Sequence, residues 1–137
     1  MAAKRKVKRF VIDVNCLITI FINRETDWLL QYVSQNKIEL FIDDNLINEL
    51  SRVLLYPKIK TLLPLSPVFY LSFVRIISTH AISSNFQIQS PDPDDNYLYN
   101  LALTTNAKLL VTGEKALLAW TSSPVNTIAL ADFKKLF

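Results

Sequence analysis

The sequence contains few of the residues on which several classes of binding site depend. It has one glycine, Gly113, which excludes a glycine-rich phosphate loop and a dinucleotide-binding fingerprint. It has one cysteine, Cys16, and one histidine, His80, which excludes an intrachain disulfide and a zinc site built from Cys or His pairs. The stretch around Cys16 is strongly apolar, as is typical of a buried reduced thiol. This favours a reducing, cytoplasmic compartment.

Long uninterrupted apolar segments are also missing. The run over residues 10–22 contains Asp13 and Asn15 and is too short to cross a bilayer, and the run over 62–77 contains two prolines and an arginine. We therefore expect neither a signal peptide nor a membrane span. Half of the 137 residues are hydrophobic and a fifth are charged. This composition excludes a disordered chain and suits one domain of ordinary size.

The positive charge is concentrated at the N-terminus. Five of the fifteen Lys and Arg residues lie in the first nine positions, whereas from residue 10 onward twelve acidic residues face ten basic ones. We therefore divide the chain into a basic N-terminal arm, residues 1–9, and a single domain, residues 10–137. The arm either contacts nucleic acid phosphates through Lys4, Arg5 and Lys6 or is a solvated leader that keeps the first strand soluble.

Short β-branched runs alternate with longer runs of helical periodicity. This alternation predicts an α/β fold with a mostly parallel sheet. The predicted strands span residues 10–12, 38–42, 108–112 and 125–129, with a further strand within 80–89. The predicted helices span residues 17–21, 25–35, 46–54, 66–77, 93–103, 115–120 and 131–137, and Pro57 is expected to mark the end of the third.

Acidic side chains fall beside the predicted strand ends and within one helical turn: Asp13, Glu49, Asp92, Asp94, Asp95 and Glu114. Asp13 directly follows the first strand between apolar neighbours, and Glu114 lies two residues after the strand over 108–112. Because ligands of open α/β sheets bind at the carboxyl ends of the strands, we expect these acids to converge there.

Converging carboxylates repel one another unless a cation lies between them. Since no His or Cys pair is available, the cation would be one that prefers oxygen ligands, Mg²⁺ or Mn²⁺. An ion of this kind suits phosphodiester hydrolysis, because it activates water and neutralises charge in the transition state.

Each of these polar residues also has a purely structural interpretation. Asp92 is well placed as the N-cap before Pro93, and Asp94 or Asp95 could serve only to complement the helix dipole. Lys115 is either a phosphate contact or a solvated turn residue. His80 and the two tryptophans, Trp28 and Trp120, are interpreted as structural or core residues.

Four segments of the chain resemble the motifs of PIN-domain ribonucleases. The first is Val-Ile-Asp-Val-Asn over residues 11–15, and the second is Glu-Leu at 49–50 with Val-Leu at 53–54. The third is Pro-Asp-Pro-Asp-Asp-Asn-Tyr-Leu over 91–98, and the fourth is the segment 107–118, which contains Thr-Gly-Glu-Lys. The motifs follow in order over nearly the whole chain. The Asp-Pro-Asp-Asp signature is closest to the subgroup of toxin components of toxin–antitoxin pairs.

The resemblance implies a three-layer α/β/α fold with a mostly parallel central sheet and a metal-dependent endoribonuclease activity. Carried over position by position, the catalytic acids are Asp13, Glu49, Asp95 and Glu114. The metal ligands would be Asp13, Asp95 and Glu114, with Asp94 as the alternative to Asp95, and Asn15 and Thr112 would support the site. The resemblance further implies RNA as substrate, an antitoxin partner and a homodimer.

Two positions depart from the family pattern. Val14 replaces the usual Thr or Ser, and Glu114 replaces the usual Asp, so that its carboxylate sits one methylene farther out with more rotamers to restrict. These departures leave open a second hypothesis, a catalytically weak or inactive PIN fold that binds RNA or an antitoxin. A phosphatase with Asp13 as nucleophile would need a second Asp where Asn15 stands, and a receiver domain does not fit the order of the acids.

Overall fold

The computed structural model describes residues 8–137, so Lys4, Arg5 and Lys6 lie outside the described residues. Its centre is a sheet of five strands, all paired in parallel, in the order β3-β2-β1-β4-β5. The strands are β1 (Lys8–Ile12), β2 (Ile38–Ile42), β3 (Ser78–His80), β4 (Leu109–Val111) and β5 (Thr127–Ile128).

The helices occupy the connections between these strands. They are α1 (Val14–Ile22), α2 (Thr26–Gln35), α3 (Asp44–Leu54), α4 (Pro57–Leu62), α5 (Pro67–Ile77), a 3₁₀ turn (Pro93–Asp95), α6 (Asn96–Thr104), α7 (Lys115–Leu118) and α8 (Leu130–Phe133). Strands β2 and β3 lie on one side of β1, and β4 and β5 lie on the other side. Right-handed connections therefore place α1–α5 on one face and α6–α7 on the other. The predicted α/β/α architecture is confirmed.

Two predictions about the middle of the chain are wrong in detail. The strand expected within 80–89 is β3, which follows α5 directly and ends at His80; there, Ala81 N donates to Ile42 O at 2.8 Å before the chain leaves the sheet. Pro57 does not simply terminate a helix. It occupies the first turn of α4, a helix that the sequence did not predict. Proline is tolerated at this position because a backbone N–H there would have no partner within the helix.

The end of the chain also differs from the prediction. The last strand is limited to Thr127–Ile128, and α8 ends at Phe133 rather than at residue 137. Phe133 is nonetheless fully buried, with its ring 5.5 Å from that of Phe10, and its carbonyl accepts a hydrogen bond from the Tyr32 hydroxyl. The closing segment is therefore held by aromatic packing more than by helix length.

The remaining structural interpretations agree with the described residues. Trp28 and Trp120 are half-buried against the core, and the His80 ring lies 2.8 Å from the Asp44 carboxylate, which connects β3 to α3. Cys16 is a buried free thiol, and burial raises its pKa to about 12. No helix in the described part of the chain combines the length and apolar character that crossing a membrane requires.

The last two residues of the predicted basic arm belong to the domain. Lys8 and Arg9 form the start of β1. The Lys8 ammonium donates to Asn36 O at 3.1 Å, and the Arg9 guanidinium donates to Thr105 O at 3.2 Å. The described domain therefore begins by residue 8, and these two charges are engaged in packing.

Candidate active site

The point where the sheet order reverses lies between β1 and β4, and the candidate site is built at their carboxyl ends. The two strands pair in register up to Ile12 and Val111, and Asp13 N extends the pairing by donating to Val111 O at 2.9 Å. The crevice outside such a reversal point is where open α/β sheets bind ligands. Asp13 and Thr112, the residues that directly follow these two strands, are thereby brought side by side.

The Asp13 carboxylate is buried and held by two hydrogen bonds. Its Oδ1 accepts from Asn15 N at 3.0 Å and caps α1, while its Oδ2 accepts from the Thr112 hydroxyl at 2.8 Å. Burial is the main cause that raises the pKa of Asp13, the two hydrogen bonds oppose it, and the charges of Glu114 and Glu49 add to the rise. The carboxylate is therefore preorganised in position but disfavoured as an isolated anion.

The two residues predicted to support the site contact Asp13 in different ways. Thr112 is fully buried, and its oxygen also accepts from Glu114 N at 3.2 Å, so that it links Asp13 to the loop after β4. Asn15 contributes its backbone N–H, while its side chain is exposed. Val14 is buried in the first turn of α1, which fits an apolar side chain at that position.

Three half-buried carboxylates cluster beside Asp13. Asp92, Asp95 and Glu114 each offer an oxygen, and these atoms lie within 4.8 Å of one another. Burial first, and then the neighbouring Glu114, Asp13 and Asp92 carboxylates, raise the pKa of Asp95 to about 8. Three such groups at this separation need a cation or a proton among them.

Two atoms of this cluster are buried without a hydrogen-bond partner among the described residues, Oδ2 of Asp95 and Oε2 of Glu114. Buried carboxylate oxygens are costly when they lack a partner. A divalent ion with oxygen ligands would satisfy both atoms and neutralise the repulsion, so the donor set fits Mg²⁺ or Mn²⁺.

Sequence reasoning did not include Asp92 in the metal site. The structure agrees that Asp92 is an N-cap, since its Oδ1 accepts from Asp94 N at 3.1 Å, but it also brings the side chain into the cluster. The crowding of acids beyond what capping requires was the available signal. Asp94, the predicted alternative to Asp95, is exposed and is not a member of this closest group of described residues.

Glu49 and Asp94 line a neighbouring cleft of about 370 Å³ together with Tyr97 and three further residues of α3. The Glu49 carboxylate is paired with the guanidinium of Arg52, three residues along the helix. Tyr97 was missed by the sequence reasoning. It lines the cleft, and its pKa is raised by burial and by the charges of Asp13, Glu49 and Asp95.

Of the four residues predicted to contact RNA, only Lys115 lies in the part of the chain that the structure describes. Lys115 is exposed at the first position of α7, immediately after Glu114. The remaining predicted contacts, Lys4, Arg5 and Lys6, belong to the part of the chain that the structure does not describe.

A protein-family model described as a PIN domain matches residues 9–116. This chain belongs to the PIN domain family. The recognition of that family from its four acidic motifs is therefore confirmed, and with it the general class of PIN-type nucleases. No curated protein matches the sequence significantly.

A solved structure resembles this PIN domain over most of its length. A chain in the crystal structure of VapBC2 from Rickettsia felis, bound to a DNA fragment from their promoter, matches with a TM-score of 0.60 and 14% sequence identity. The match covers 88% of this chain and 98% of the other. At this identity the likeness shows the fold, and it is the same fold that the motifs predicted.

Proposed function

We propose that this PIN domain is a metal-dependent endoribonuclease that hydrolyses RNA phosphodiester bonds. The observation that supports the proposal most strongly is the convergence of Asp92, Asp95 and Glu114 near Asp13, at the reversal point of the sheet. There, two carboxylate oxygens are buried without a partner among the described residues. A divalent cation bound there would partner both oxygens and offset the repulsion among the carboxylates.

In the proposed site, Asp13, Asp95 and Glu114 hold the ion and Asp92 supplies a fourth oxygen nearby. When bound, Mg²⁺ or Mn²⁺ supplies a water of lowered pKa and neutralises charge on the attacked phosphate. Thr112 keeps Asp13 in position through its hydroxyl, and Asn15 does so through its backbone N–H. Glu49 faces the adjacent cleft, from which it orients a water or the substrate.

The proposed substrate and partners follow from the family. RNA would enter over the exposed Lys115, and Lys4, Arg5 and Lys6 would add phosphate contacts. We further propose that the protein acts in the cytoplasm, that an antitoxin protein blocks it, and that it forms a homodimer. The fold likeness to a chain of VapBC2, a structure bound to promoter DNA, supports a toxin-type assignment.

A second candidate function is a PIN fold that binds RNA or an antitoxin without efficient cleavage. The pairing of Glu49 with Arg52 favours it, because a carboxylate engaged by a guanidinium is less available to the reaction. The buried Val14, in place of a hydroxyl-bearing residue, favours it as well.

The deciding experiment is cleavage of a labelled RNA by the full chain with Mn²⁺, with Mg²⁺ and with EDTA. Asp13→Asn and Asp95→Asn test the site, and Asp27→Asn, which removes an exposed carboxylate on α2, is the matched control. We expect cleavage that needs metal, is lost in both site variants and survives in the control. Binding of RNA without cleavage under any metal condition would instead establish the second function.

A further inference from the structure

Helix α3 presents an unusual polar stripe toward the cleft beside the acids. Its opposite face is buried through five aliphatic residues: Leu46, Ile47, Leu50, Val53 and Leu54. The stripe is formed by Asn45, Asn48, Glu49 and Arg52, whose spacing of three, four and seven residues places them on one side of a helix. All four line the same cleft of about 370 Å³, which Asp94 and Tyr97 complete.

The charges around this cleft create a problem for a phosphodiester substrate. Glu49 and Asp94 line it, and the acid cluster lies beside it. A bound cation would offset the cluster, but it would leave the outer cleft negative and repulsive to the phosphates flanking the one that is cut. Among the described residues that line the cleft, Arg52 is the only cation.

Arg52 has the chemistry to solve this problem. A guanidinium carries five N–H donors in a fixed fork, so pairing with one oxygen of Glu49 leaves donors that suit a phosphate. Arg52 is exposed, so a ligand can reach it without rearrangement of the core. Its charge also neutralises Glu49 at the cleft wall.

The two amides extend the same surface. Asn45 and Asn48 are exposed and uncharged, and each amide offers both donors and an acceptor. Asn side chains pair with base edges, and single-stranded RNA displays those edges. With a helical rise of about 1.5 Å per residue, the stripe from Asn45 to Arg52 spans roughly 10 Å, about three nucleotides of a stacked strand.

We propose that Asn45, Asn48 and Arg52 form a substrate-binding strip for single-stranded RNA. In this strip Arg52 contacts a phosphate that flanks the scissile one, and the two asparagines contact base edges and set sequence preference. The inference rests on the proposed ribonuclease function and names the surface that selects its substrate.

The test measures RNA affinity separately from cleavage. Labelled single-stranded oligonucleotides of A, C and U are titrated with the full chain carrying Asp13→Asn, so that the RNA stays intact, at several NaCl concentrations. Arg52→Gln should weaken binding about tenfold. It should also reduce the slope of log affinity against log NaCl concentration by roughly 0.7, the value for one phosphate contact to a single strand. Arg75→Gln is the matched control, because it removes an exposed arginine on α5, outside the cleft lining.

The asparagines have a different expected signature. Asn45→Ala and Asn48→Ala should change the ratio of affinities for the three oligonucleotides by roughly tenfold while leaving the salt dependence unchanged. Circular dichroism melting of each variant verifies that it is folded.

The outcomes separate the strip from the proposed activity. If the chain cleaves RNA with metal but Arg52→Gln binds like Arg75→Gln, the strip is wrong and the function stands. If Arg52→Gln lowers the cleavage rate of the otherwise unmodified chain, as Glu49→Gln would, but does not change RNA affinity in the Asp13→Asn background, then Arg52 positions Glu49 and does not bind substrate. If Asp13→Asn protein binds none of the oligonucleotides, the strip is also overturned, whereas failure of metal-dependent cleavage alone contradicts only the proposed function.

Discussion

The hydroxyl of Thr112 donates a 2.8 Å hydrogen bond to Oδ2 of Asp13, joining two residues that are 99 positions apart in the sequence. The bond is possible because β1 and β4 are neighbours in the sheet and end at the same level. It lies at the point where the strand order reverses, and the same Thr112 oxygen also accepts from the backbone N–H of Glu114. Thr112 thus holds in place the carboxylate that is most deeply buried in the site.

Replacing Thr112 with Val should damage both stability and metal binding. The change keeps the shape but leaves the buried Asp13 oxygen without its donor, which costs about 2 kcal/mol. The pKa of Asp13 should rise further, so Mn²⁺ has to displace a proton to bind. Urea unfolding and Mn²⁺ titration measure the two effects. Thr112→Ser, which retains the hydroxyl, is the control, and equal behaviour of the Val and Ser variants would refute the role of the bond.

Divalent metal should stabilise the folded chain. Binding to the native state alone adds RT ln(1 + [L]/Kd), about 2.7 kcal/mol at a hundred times Kd. A thermal melt with and without millimolar Mn²⁺ measures the shift. Asp95→Asn should abolish the shift and leave the metal-free protein at least as stable, because it removes one charge from a crowded cluster. If Mn²⁺ does not change the melting temperature of the unmodified chain, the metal site is contradicted.

The stability of the metal-free protein should fall as pH rises from about 4 to about 8. Asp95 has a folded-state pKa of about 8 and an ordinary value of 3.8 when unfolded, so over this range the native state binds the extra proton. The raised pKa of Asp13 acts in the same direction. Urea unfolding at successive pH values provides the measurement. Glu114→Gln should flatten the slope, and saturating Mn²⁺ should flatten or reverse it, because the ion competes with the proton.

Shortening Glu114 should lower activity. Its longer side chain already brings an oxygen to within 4.8 Å of those of Asp92 and Asp95, so the backbone here is arranged for Glu. Glu114→Asp withdraws the carboxylate by about one bond length, and a misplacement near 1 Å can cost about 10²-fold in rate. Glu114→Gln should lower the rate further. If Asp raises the cleavage rate instead, the usual shorter acid is the better ligand in this site, and equal rates for all three would place residue 114 outside it.

Deleting residues 1–6 tests the basic arm. If Lys4, Arg5 and Lys6 contact phosphates, the deletion should weaken RNA binding. It should also reduce the slope of log affinity against log NaCl concentration by about 2, the sum for three contacts to a single strand. The described domain starts at Lys8 and keeps its contacts in the truncated chain. An unchanged salt dependence would assign the arm to solubility.

Much of the fold could be predicted because its determinants are local. The β-branched runs of β1, β2 and β4 and the apolar stripe of α3 are dictated by periodicity within a few residues. The strand β3 was misplaced because three residues carry almost no periodicity. Its position depends on pairing with β2, where Ala81 N reaches Ile42 O. Helix α4 was missed because Pro57 can end one helix or begin the next, and only packing chooses between the two.

The sequence by itself determined which residue types stand at the strand ends, and therefore that Asp13 and Glu114 would meet near a predicted helix start rich in Asp. It could not determine which acids of that turn point inward. Asp92 joins the cluster and Asp94 faces the cleft because the 3₁₀ turn orients their side chains differently. The bond from Thr112 to Asp13 likewise depends on the adjacency of β1 and β4, which are far apart in the sequence. This adjacency is set by the three-dimensional packing of the whole domain. The pairing of Glu49 with Arg52, by contrast, is a local contact three residues apart on one helix.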